Sequence, residues 1–275
     1  MYSLLKKITP AFIKKCFRVF FNNYLKNTKQ SASRNFHCPV CQNSVESFLR
    51  LDELYLQKFD KHGFIHSIFL FETLNIFNYS CPFCGAADRD RLYALFLKKK
   101  LNKINQLKTY KFIDFAPAPA LSNLIRSYSF LNYRSADLFM KGVDDIADLT
   151  DLNIYDDSTI DFFICSHILE HIQDDIKAIS ELYRILKDGG WGILMVPILL
   201  NLKEIYENPE IVSEEERWKH FGQNDHVRIY SKQGFINRVK SVGFKIEEFG
   251  ENYFGKEVFD KSGIQNRSVL YIVSK

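Results

Sequence analysis

The sequence lacks any run of 18 uncharged apolar residues, the length that a membrane-spanning helix needs. It also lacks a small-residue cleavage site after a clean apolar run near its start, so a secretory signal is not expected. No nucleophile elbow, P-loop or protein-kinase motif is present. These absences predict a cytoplasmic protein whose six cysteines are reduced or metal-bound and not paired as disulfides.

Acidic residues are missing from the first 36 positions, which hold eight lysines and arginines. The whole chain has a net charge of +4, so residues 37–275 carry about −4. Phosphate contacts need a basic face, and this charge therefore argues against a nucleic-acid partner for residues 37–275. Apolar residues make up 46% of the chain and charged residues 25%, an ordinary balance for a globular protein with a full core.

The basic N-terminal segment predicts an amphipathic helix over residues 10–26. Thr9 and Pro10 form a good helix start, and aromatic and aliphatic residues then recur at helical spacing opposite a basic face. Such a helix lies in an anionic membrane interface, which would place the protein peripherally at the inner membrane face. The pattern fits equally a helix that docks on its own domain or on a partner, or disorder. Residues 27–36 are polar and predict a linker.

Two C-x-x-C pairs predict a zinc site. Two residues between cysteines let both thiolates face one tetrahedral metal, and two such pairs complete the site. Four thiolates leave no open position for water, so the zinc is expected to be structural and not catalytic. Unpaired structural or redox cysteines are the alternative. The predicted ligands are Cys38, Cys41, Cys81 and Cys84.

The 39 residues between the two pairs exceed the commonest spacing and fit a zinc ribbon whose knuckles are separated by strands. Three segments there have strand-like content, namely 44–51, 65–71 and 73–79. The predicted organisation is a basic helix with linker over 1–36, a zinc ribbon over 37–89, and a larger domain over 90–275.

The larger domain alternates helix and strand, which predicts an α/β sheet, mostly parallel, with a final antiparallel hairpin. Five strands and then the hairpin are expected at 110–115, 132–137, 143–149, 160–166, 191–197, 244–250 and 268–275. Helices are expected at 90–106, 117–128, 174–190 and 231–242, the third ending at two glycines. A polar insertion, residues 201–230, follows the fifth strand.

The turn after the first of these strands lacks glycine. Residues 112–127 read FIDFAPAPALSNLIRS, whereas nucleotide-binding turns usually carry glycines so that the backbone can approach the ligand. Alanine does not accept a positive φ easily, and proline has no N–H. A cofactor loop built this way is expected to use negative φ and to take donors from the following helix. A plain strand-to-helix connection is the alternative.

Residues 90–275 resemble a class I S-adenosylmethionine-dependent methyltransferase of the group with an LEH signature, similar to methyltransferase type 11. The matching parts are Asp114, Asp137 and the blocks 148–172, 182–197 and 225–244. The resemblance implies a Rossmann-like fold, transferase activity and S-adenosylmethionine as cofactor. The zinc ribbon resembles the ribbon ahead of some methyltransferase domains, including certain ribosomal RNA enzymes.

The resemblance also implies cofactor contacts. Asp137 would bind the ribose hydroxyls, and Asp148 the adenine amino group with Leu149 alongside the ring. Ser166 and His167 would lie beside the sulfonium. Asp114, Ala116 and Pro117 belong to the loop expected under the methionine moiety. Helix capping or turn formation is the alternative for Asp137 and Asp148.

A hydroxyl acceptor needs a base, and the candidates are His226, His171 and Glu170, with His167 and His220 behind them. His226 is the first choice, because the insertion 201–230 is expected to form a lid over the acceptor. The alternative is that His226 and Arg228 only hydrogen-bond within that lid.

The acceptor is expected to be a small molecule or a glycan, including a lipid-linked sugar near a membrane. An RNA methyltransferase that reads its target through the zinc ribbon is the second hypothesis, and a methyltransferase-like scaffold without activity is the third. The glycine-free turn is the main support for the third.

Overall fold

A seven-stranded sheet organises the part of the chain that the computed structural model describes, residues 36–275. Its order is β10-β11-β7-β6-β3-β4-β5, with β3 to β7 parallel and β11 antiparallel to both of its neighbours. The strands are β3 Tyr110–Phe115, β4 Leu131–Asp137, β5 Asp145–Ile146, β6 Ile160–Ser166, β7 Leu186–Met195, β10 Lys245–Phe249 and β11 Leu270–Ser274. The predicted mostly parallel α/β sheet with a terminal antiparallel pair is confirmed.

Two short ladders lie outside this sheet. They pair β1 with β2 and β8 with β9, at Phe36–His37, Ser44–Val45, Tyr206–Glu207 and Arg228–Ile229. The helices are α1 Glu53–His62, α2 Asp88–Leu101, α3 Pro119–Arg126, α4 Asp175–Ile185, α5 Glu214–Phe221, α6 Lys232–Ser241, α7 Glu251–Phe254 and α8 Lys256–Lys261. Two 3₁₀ turns cover Ile68–Leu70 and Leu169–His171.

The central strands are buried because apolar residues occupy successive positions, as a parallel sheet covered on both faces requires. Phe163 of β6 is fully buried. A Cβ at Gly192 of the neighbouring β7 would lie 2.2 Å from its ring, so only glycine fits there. Side-chain caps from Asp174, Ser213 and Ser231 begin α4, α5 and α6.

The predicted helix over 174–190 is wrong at its end. Helix α4 stops at Ile185, and Leu186 takes extended dihedrals and already pairs with Ile160 in the sheet. The two glycines lie within β7, where a register shift accommodates them. The hairpin strands β10 and β11 do pair, although α7 and α8 lie between them in sequence.

Of the three strands predicted between the cysteine pairs, the first is confirmed only at Ser44–Val45, as β2, and those at 65–71 and 73–79 are wrong. The 3₁₀ turn lies within 65–71, and the helix α1 lies between the first two predicted strands. Asp52 caps α1 by accepting from the Leu54 N–H, and Gly63 ends the helix in a left-handed conformation. Asp52 and Gly63 are both typical cap residues and could have indicated the helix. The aromatic content of this segment instead favoured a prediction of strands.

Helix α1 packs on α5, the helix of the insertion. Tyr55 and Phe59 contact the Trp218 ring edge-on, with centroids 6.0 and 6.1 Å apart, and His62 stacks on it at 5.4 Å. Because α1 lies between the cysteine pairs and α5 follows β7, two excursions of the chain meet in one aromatic cluster. Such clusters add specific ring contacts to the apolar area that they bury.

The segment with the cysteines shares the core of the sheet. Cys38 and Phe48 belong to the same buried cluster as β3 and β6. The guanidinium of Arg91, fully buried, donates to carbonyls of Tyr79 and Ala86 and, at the other end of the chain, of Ser262. Residues 36–275 therefore form one compact unit, and the boundary at residue 89 stays a prediction.

The predicted amphipathic helix of residues 10–26 lies outside the described residues. Between residues 36 and 275, no helix has both the length and the apolar character to cross a membrane.

Candidate functional site

The sheet has a switch point between β3 and β6. From β3 the chain turns to β4 on one side and returns to β6 on the other. Ligands of open α/β sheets bind at such a point, outside the carboxyl ends of the strands. The register places Ala116 just past β3, level with Asp137 and Ser166 at the ends of β4 and β6. With strands about 4.8 Å apart, Asp137 and Ser166 lie about 10 Å from each other.

Two residues at this edge have left-handed backbones without being glycine. Ala116 has φ of 52° and His167 has φ of 57°. The conformation costs an L-residue about 1–2 kcal/mol and persists where the surroundings hold it, typically at functional sites. The expectation of negative φ throughout the alanine and proline turn is therefore wrong at Ala116. The turn takes the conformation that glycine would favour.

The Asp114 carboxyl group is buried and hydrogen-bonded, and is not exposed at this edge. It is 2% exposed, and one of its oxygens accepts from the Tyr133 hydroxyl at 2.7 Å and from the Ser122 hydroxyl at 3.1 Å. Burial raises the pKa of Asp114 to about 7. Its observed contacts join β3 to β4 and α3.

Asp137 and Asp148 each use one oxygen to shape a turn. Oδ1 of Asp137 accepts from the N–H groups of Phe139 and Met140, both at 2.7 Å. Oδ1 of Asp148 accepts from the N–H and the hydroxyl of Thr150, both at 2.8 Å. Among residues 36–275, neither Oδ2 makes a hydrogen bond. The alternative that these residues form turns is therefore correct for Oδ1 of each carboxylate, and Oδ2 is available for another contact.

The remaining residues of the predicted cofactor site lie nearby along the chain. Leu149 is buried beside Asp148, and Pro117 follows the left-handed Ala116. The Ser166 hydroxyl lies 2.8 Å from the Tyr93 hydroxyl.

A cavity of about 700 Å³ opens beside the end of β6. It brings together His167 and the three predicted catalytic residues Glu170, His171 and His226. Further parts of its wall include residues 49–55 between the cysteine pairs and residues 221–223 of the insertion. Of the predicted cofactor residues described here, His167 is the one that lines this cavity.

The insertion reaches the cavity because it is bonded to the 3₁₀ turn Leu169–His171, here called the LEH turn, and to the two residues after it. The Val227 N–H donates to the Glu170 carbonyl at 2.8 Å. The buried Arg228 donates to the carbonyls of Leu169 at 3.0 Å and Gln173 at 2.7 Å, and also to that of Ile172. Arg228 therefore bonds to the turn after β6, and the alternative that it bonds only within the lid is wrong.

The histidines and the carboxylate of the cavity influence one another. Burial alone would raise the pKa of Glu170, but the His167 imidazole 3.4 Å away and the neighbouring imidazoles lower it to about 2. Burial lowers the pKa of His226 to about 4. A base works best with a pKa near the working pH, so both groups are weak bases at pH 7. The role of His226 as a base stays a prediction.

Three residues in or beside the cavity were not predicted from the sequence as parts of the site. Asp225 pairs with His171, its Oδ2 lying 3.1 Å from Nδ1. Arg89 and Tyr55 line the wall. Asp225 directly precedes His226, which was a usable signal. Nothing in the sequence indicates that residues 49–55 cover the end of β6.

The four cysteines converge as their spacing predicts. Sγ atoms of Cys38 and Cys84, and of Cys41 and Cys81, are 3.8 Å apart, and all four lie within 4.8 Å of one another. Four thiolates at 2.3 Å around a tetrahedral zinc are about 3.8 Å apart, so the set fits this metal. Each knuckle ends in a left-handed residue, at Gln42 and Gly85.

Comparison with known proteins identifies one family. Residues 82–248, more than half of the chain, match the family described as a methyltransferase domain. No curated protein matches the chain.

Among solved structures, an S-adenosylmethionine-dependent methyltransferase from Archaeoglobus fulgidus shares 12% identity over 68% of this chain and 94% of its own, with a TM-score of 0.43. One from Mesorhizobium loti shares 12% over 66% and 98%, with a TM-score of 0.41. Phosphoethanolamine N-methyltransferase 2 of Haemonchus contortus, in complex with S-adenosylmethionine, shares 16% over 65% and 42%, with a TM-score of 0.42.

Proposed function

Because the chain belongs to the methyltransferase-domain family and is an S-adenosylmethionine-dependent methyltransferase, we propose that it methylates a hydroxyl group of a small molecule or a glycan. The cavity beside β6 carries this proposal. Its volume of about 700 Å³ suits a small ligand. Residues 49–55 and the insertion both form parts of its wall. Such an enclosed site favours a compact acceptor over an extended strand of nucleic acid.

The cofactor is proposed to lie along the carboxyl edge of β3, β4 and β6. S-adenosylmethionine supplies a methyl group on an electrophilic sulfonium. The second oxygen of Asp137 would bind its ribose, and that of Asp148 its adenine, with Leu149 beside the ring. The turn at Ala116 and Pro117, together with Ser166 and His167, would hold the rest.

The acceptor is proposed to meet Glu170, His171 and His226. His167 lines the cavity and directly follows Ser166 at the cofactor edge, so it connects the two proposed sites. Methyl transfer depends mainly on positioning the acceptor oxygen in line with the methyl group. Side chains of the LEH turn and of the insertion would orient that oxygen.

The other parts of the chain are proposed to support this activity. The four cysteines would hold a structural zinc. The basic segment 10–26 would contact an anionic membrane surface, where a lipid-linked sugar would be presented. The net charge of about −4 over residues 37–275 argues against RNA as the acceptor.

Titration calorimetry with S-adenosylhomocysteine tests the cofactor site. Asparagine at position 137 keeps the oxygen that accepts from Phe139 and Met140 but removes the charge and the second acceptor. We expect Asp137→Asn to weaken binding by about 10–100-fold, the value of a charge-assisted hydrogen bond. The exposed Asp188→Asn is the matched control and should bind as the wild type. Equal affinities in all three proteins would contradict the role of Asp137.

The acceptor class is tested with methyl-labelled cofactor and fractionated cell extract. Label in the small-molecule or glycolipid fraction, absent with Asp137→Asn, would support the proposal. Label that is sensitive to ribonuclease would establish the RNA hypothesis instead.

A further inference from the structure

Two imidazoles and a carboxylate converge in the cavity beside β6. Donor atoms of Glu170, His171 and His226 lie within 4.8 Å of one another. The first two come from the LEH turn and the third from the insertion, so the tertiary structure assembles the set. It is separate in sequence from the four cysteines.

The buried members of this set have side-chain atoms without a hydrogen bond. Glu170 is 1% exposed. Its Oε1 lies 3.4 Å from Nδ1 of His167 as an ion pair, but neither carboxylate oxygen makes a hydrogen bond within the described residues. His226 is 4% exposed, and its Nε2 is also without a partner there. A buried carboxylate without hydrogen bonds is costly, and such charges are normally paired or bound to metals.

Nδ1 of each histidine has a polar neighbour, which leaves Nε2 as the proposed ligand atom. Nδ1 of His226 lies 3.3 Å from the Phe221 carbonyl oxygen. A carbonyl can only accept, so this nitrogen carries the proton and Nε2 keeps its lone pair. Nδ1 of His171 lies 3.1 Å from Asp225. Histidines that bind metals are typically oriented in this way, by a carbonyl or a carboxylate on the opposite nitrogen.

The chemistry of the donors selects the kind of cation. Two imidazoles and one carboxylate suit Zn²⁺, Co²⁺ or Fe²⁺, whereas Mg²⁺ and Ca²⁺ prefer oxygen alone. Bonds of about 2.0–2.2 Å need donors about 3.3 Å apart, so a side chain must move inward by about 1 Å. The His171 ring is 32% exposed and has room to do so. Arg89 lines the same cavity and carries one positive charge. Glu170 and Asp225 together carry two negative charges, so the local charge still favours a cation.

We propose that Glu170, His171 and His226 bind a divalent transition-metal cation at the wall of the cavity. Three protein ligands leave a coordination position open toward the cavity, as in catalytic and not in structural zinc sites. That position would take an oxygen atom of water or, if the proposed function holds, of the acceptor. A metal-bound oxygen loses its proton more readily, so the acceptor would be a hydroxyl compound.

The test is the number of zinc ions that the full chain retains after dialysis against buffered Zn²⁺. We expect His226→Gln and His171→Gln each to retain one equivalent fewer than the wild type. His220→Gln is the matched control, because His220 also lies in the insertion but bonds to Tyr206 outside the cluster. It should retain the wild-type number. Equal zinc contents in the wild type and His226→Gln would overturn the proposal.

A second variant guards against misfolding of the buried His226→Gln. The Asp225 side chain is 57% exposed, so Asp225→Asn should fold normally. It should weaken Zn²⁺ binding at this site by about 10–100-fold through the orientation of His171. Unchanged affinity in Asp225→Asn together with full zinc content in His171→Gln would likewise reject the site.

Titration with S-adenosylhomocysteine in the same preparations separates this inference from the proposed function. Normal cofactor binding with no variant-dependent zinc rejects the metal site alone. Loss of cofactor binding in Asp137→Asn without change in zinc content supports the two sites independently.

Discussion

At the scale of single residues, Asp114 and Ala116 show that the type of a residue predicts its structural role only in part. Both stand in the turn that the sequence marks as a ligand loop. The Asp114 carboxyl is bonded to Tyr133 and Ser122, and Ala116 carries the left-handed backbone of the turn. The position of the turn was predictable from the strand before it. The direction of the carboxyl was not, because Tyr133 lies on the next strand.

The buried carboxyl predicts a pH dependence of stability. Its pKa is about 7 in the folded protein and about 4 when unfolded. The folded state then binds the proton more tightly, so the contribution is fully favourable below pH 4 and is lost as pH rises through 7. We expect Asp114→Asn to gain about 2–3 kcal/mol in unfolding free energy relative to wild type between pH 5 and pH 8, measured with urea.

The exposed Asp188→Asn serves as control, since its difference from wild type should stay nearly constant over this range. A constant difference for Asp114→Asn as well would show that its carboxyl is ionised throughout.

At the scale of elements, Arg228 connects the insertion to the LEH turn. Its guanidinium bonds to three carbonyls after β6 and to Glu207 at 2.8 Å, while the neighbouring Val227 bonds to Glu170. The insertion was expected from sequence as a polar segment with two histidines. Its attachment depends on backbone carbonyls of the 3₁₀ turn and of the two residues after it, which no side-chain pattern reveals.

Removing this attachment should destabilise the fold. Arg228→Met leaves buried carbonyls without donors, and we expect a loss of about 3 kcal/mol in unfolding free energy by urea denaturation. Arg228→Lys should recover part of it, because an ammonium group cannot reproduce the planar fork of donors. In Arg126→Met, which breaks a half-exposed pair with Asp144, the loss should stay below about 1 kcal/mol. Similar losses at both arginines would contradict this account.

For the molecule as a whole, the cysteine segment is part of the main core. Cys38 and Phe48 pack with the sheet, and Arg91 bonds the second knuckle to Ser262. The helix α1 from this segment and α5 from the insertion meet beside the cavity. Loss of the proposed zinc should therefore affect the entire unit and not a separate module.

Thermal unfolding checks this expectation. A chelator should lower Tm of the full chain in a single transition, because metal binding and folding are coupled. The shift should persist in His226→Gln, where only the four cysteines remain as ligands. It should vanish in Cys41→Ser, which lacks one of them. Two separate transitions after chelation would mean that the cysteine segment unfolds alone.

Local chemistry was enough to predict much of this protein. Apolar runs, caps and the positions of acids after strands predict the α/β sheet and its carboxyl edge, because these depend on neighbours in the chain. The spacing of the C-x-x-C pairs predicts that four thiolates meet.

The tertiary structure alone decided how the cavity is built. Glu170, His171 and His226 come together through backbone bonds between segments more than 50 residues apart. The wall from residues 49–55 depends on the packing of α1 against Trp218. Contacts between distant segments follow from which surfaces fit and bury together, and no single segment carries that information.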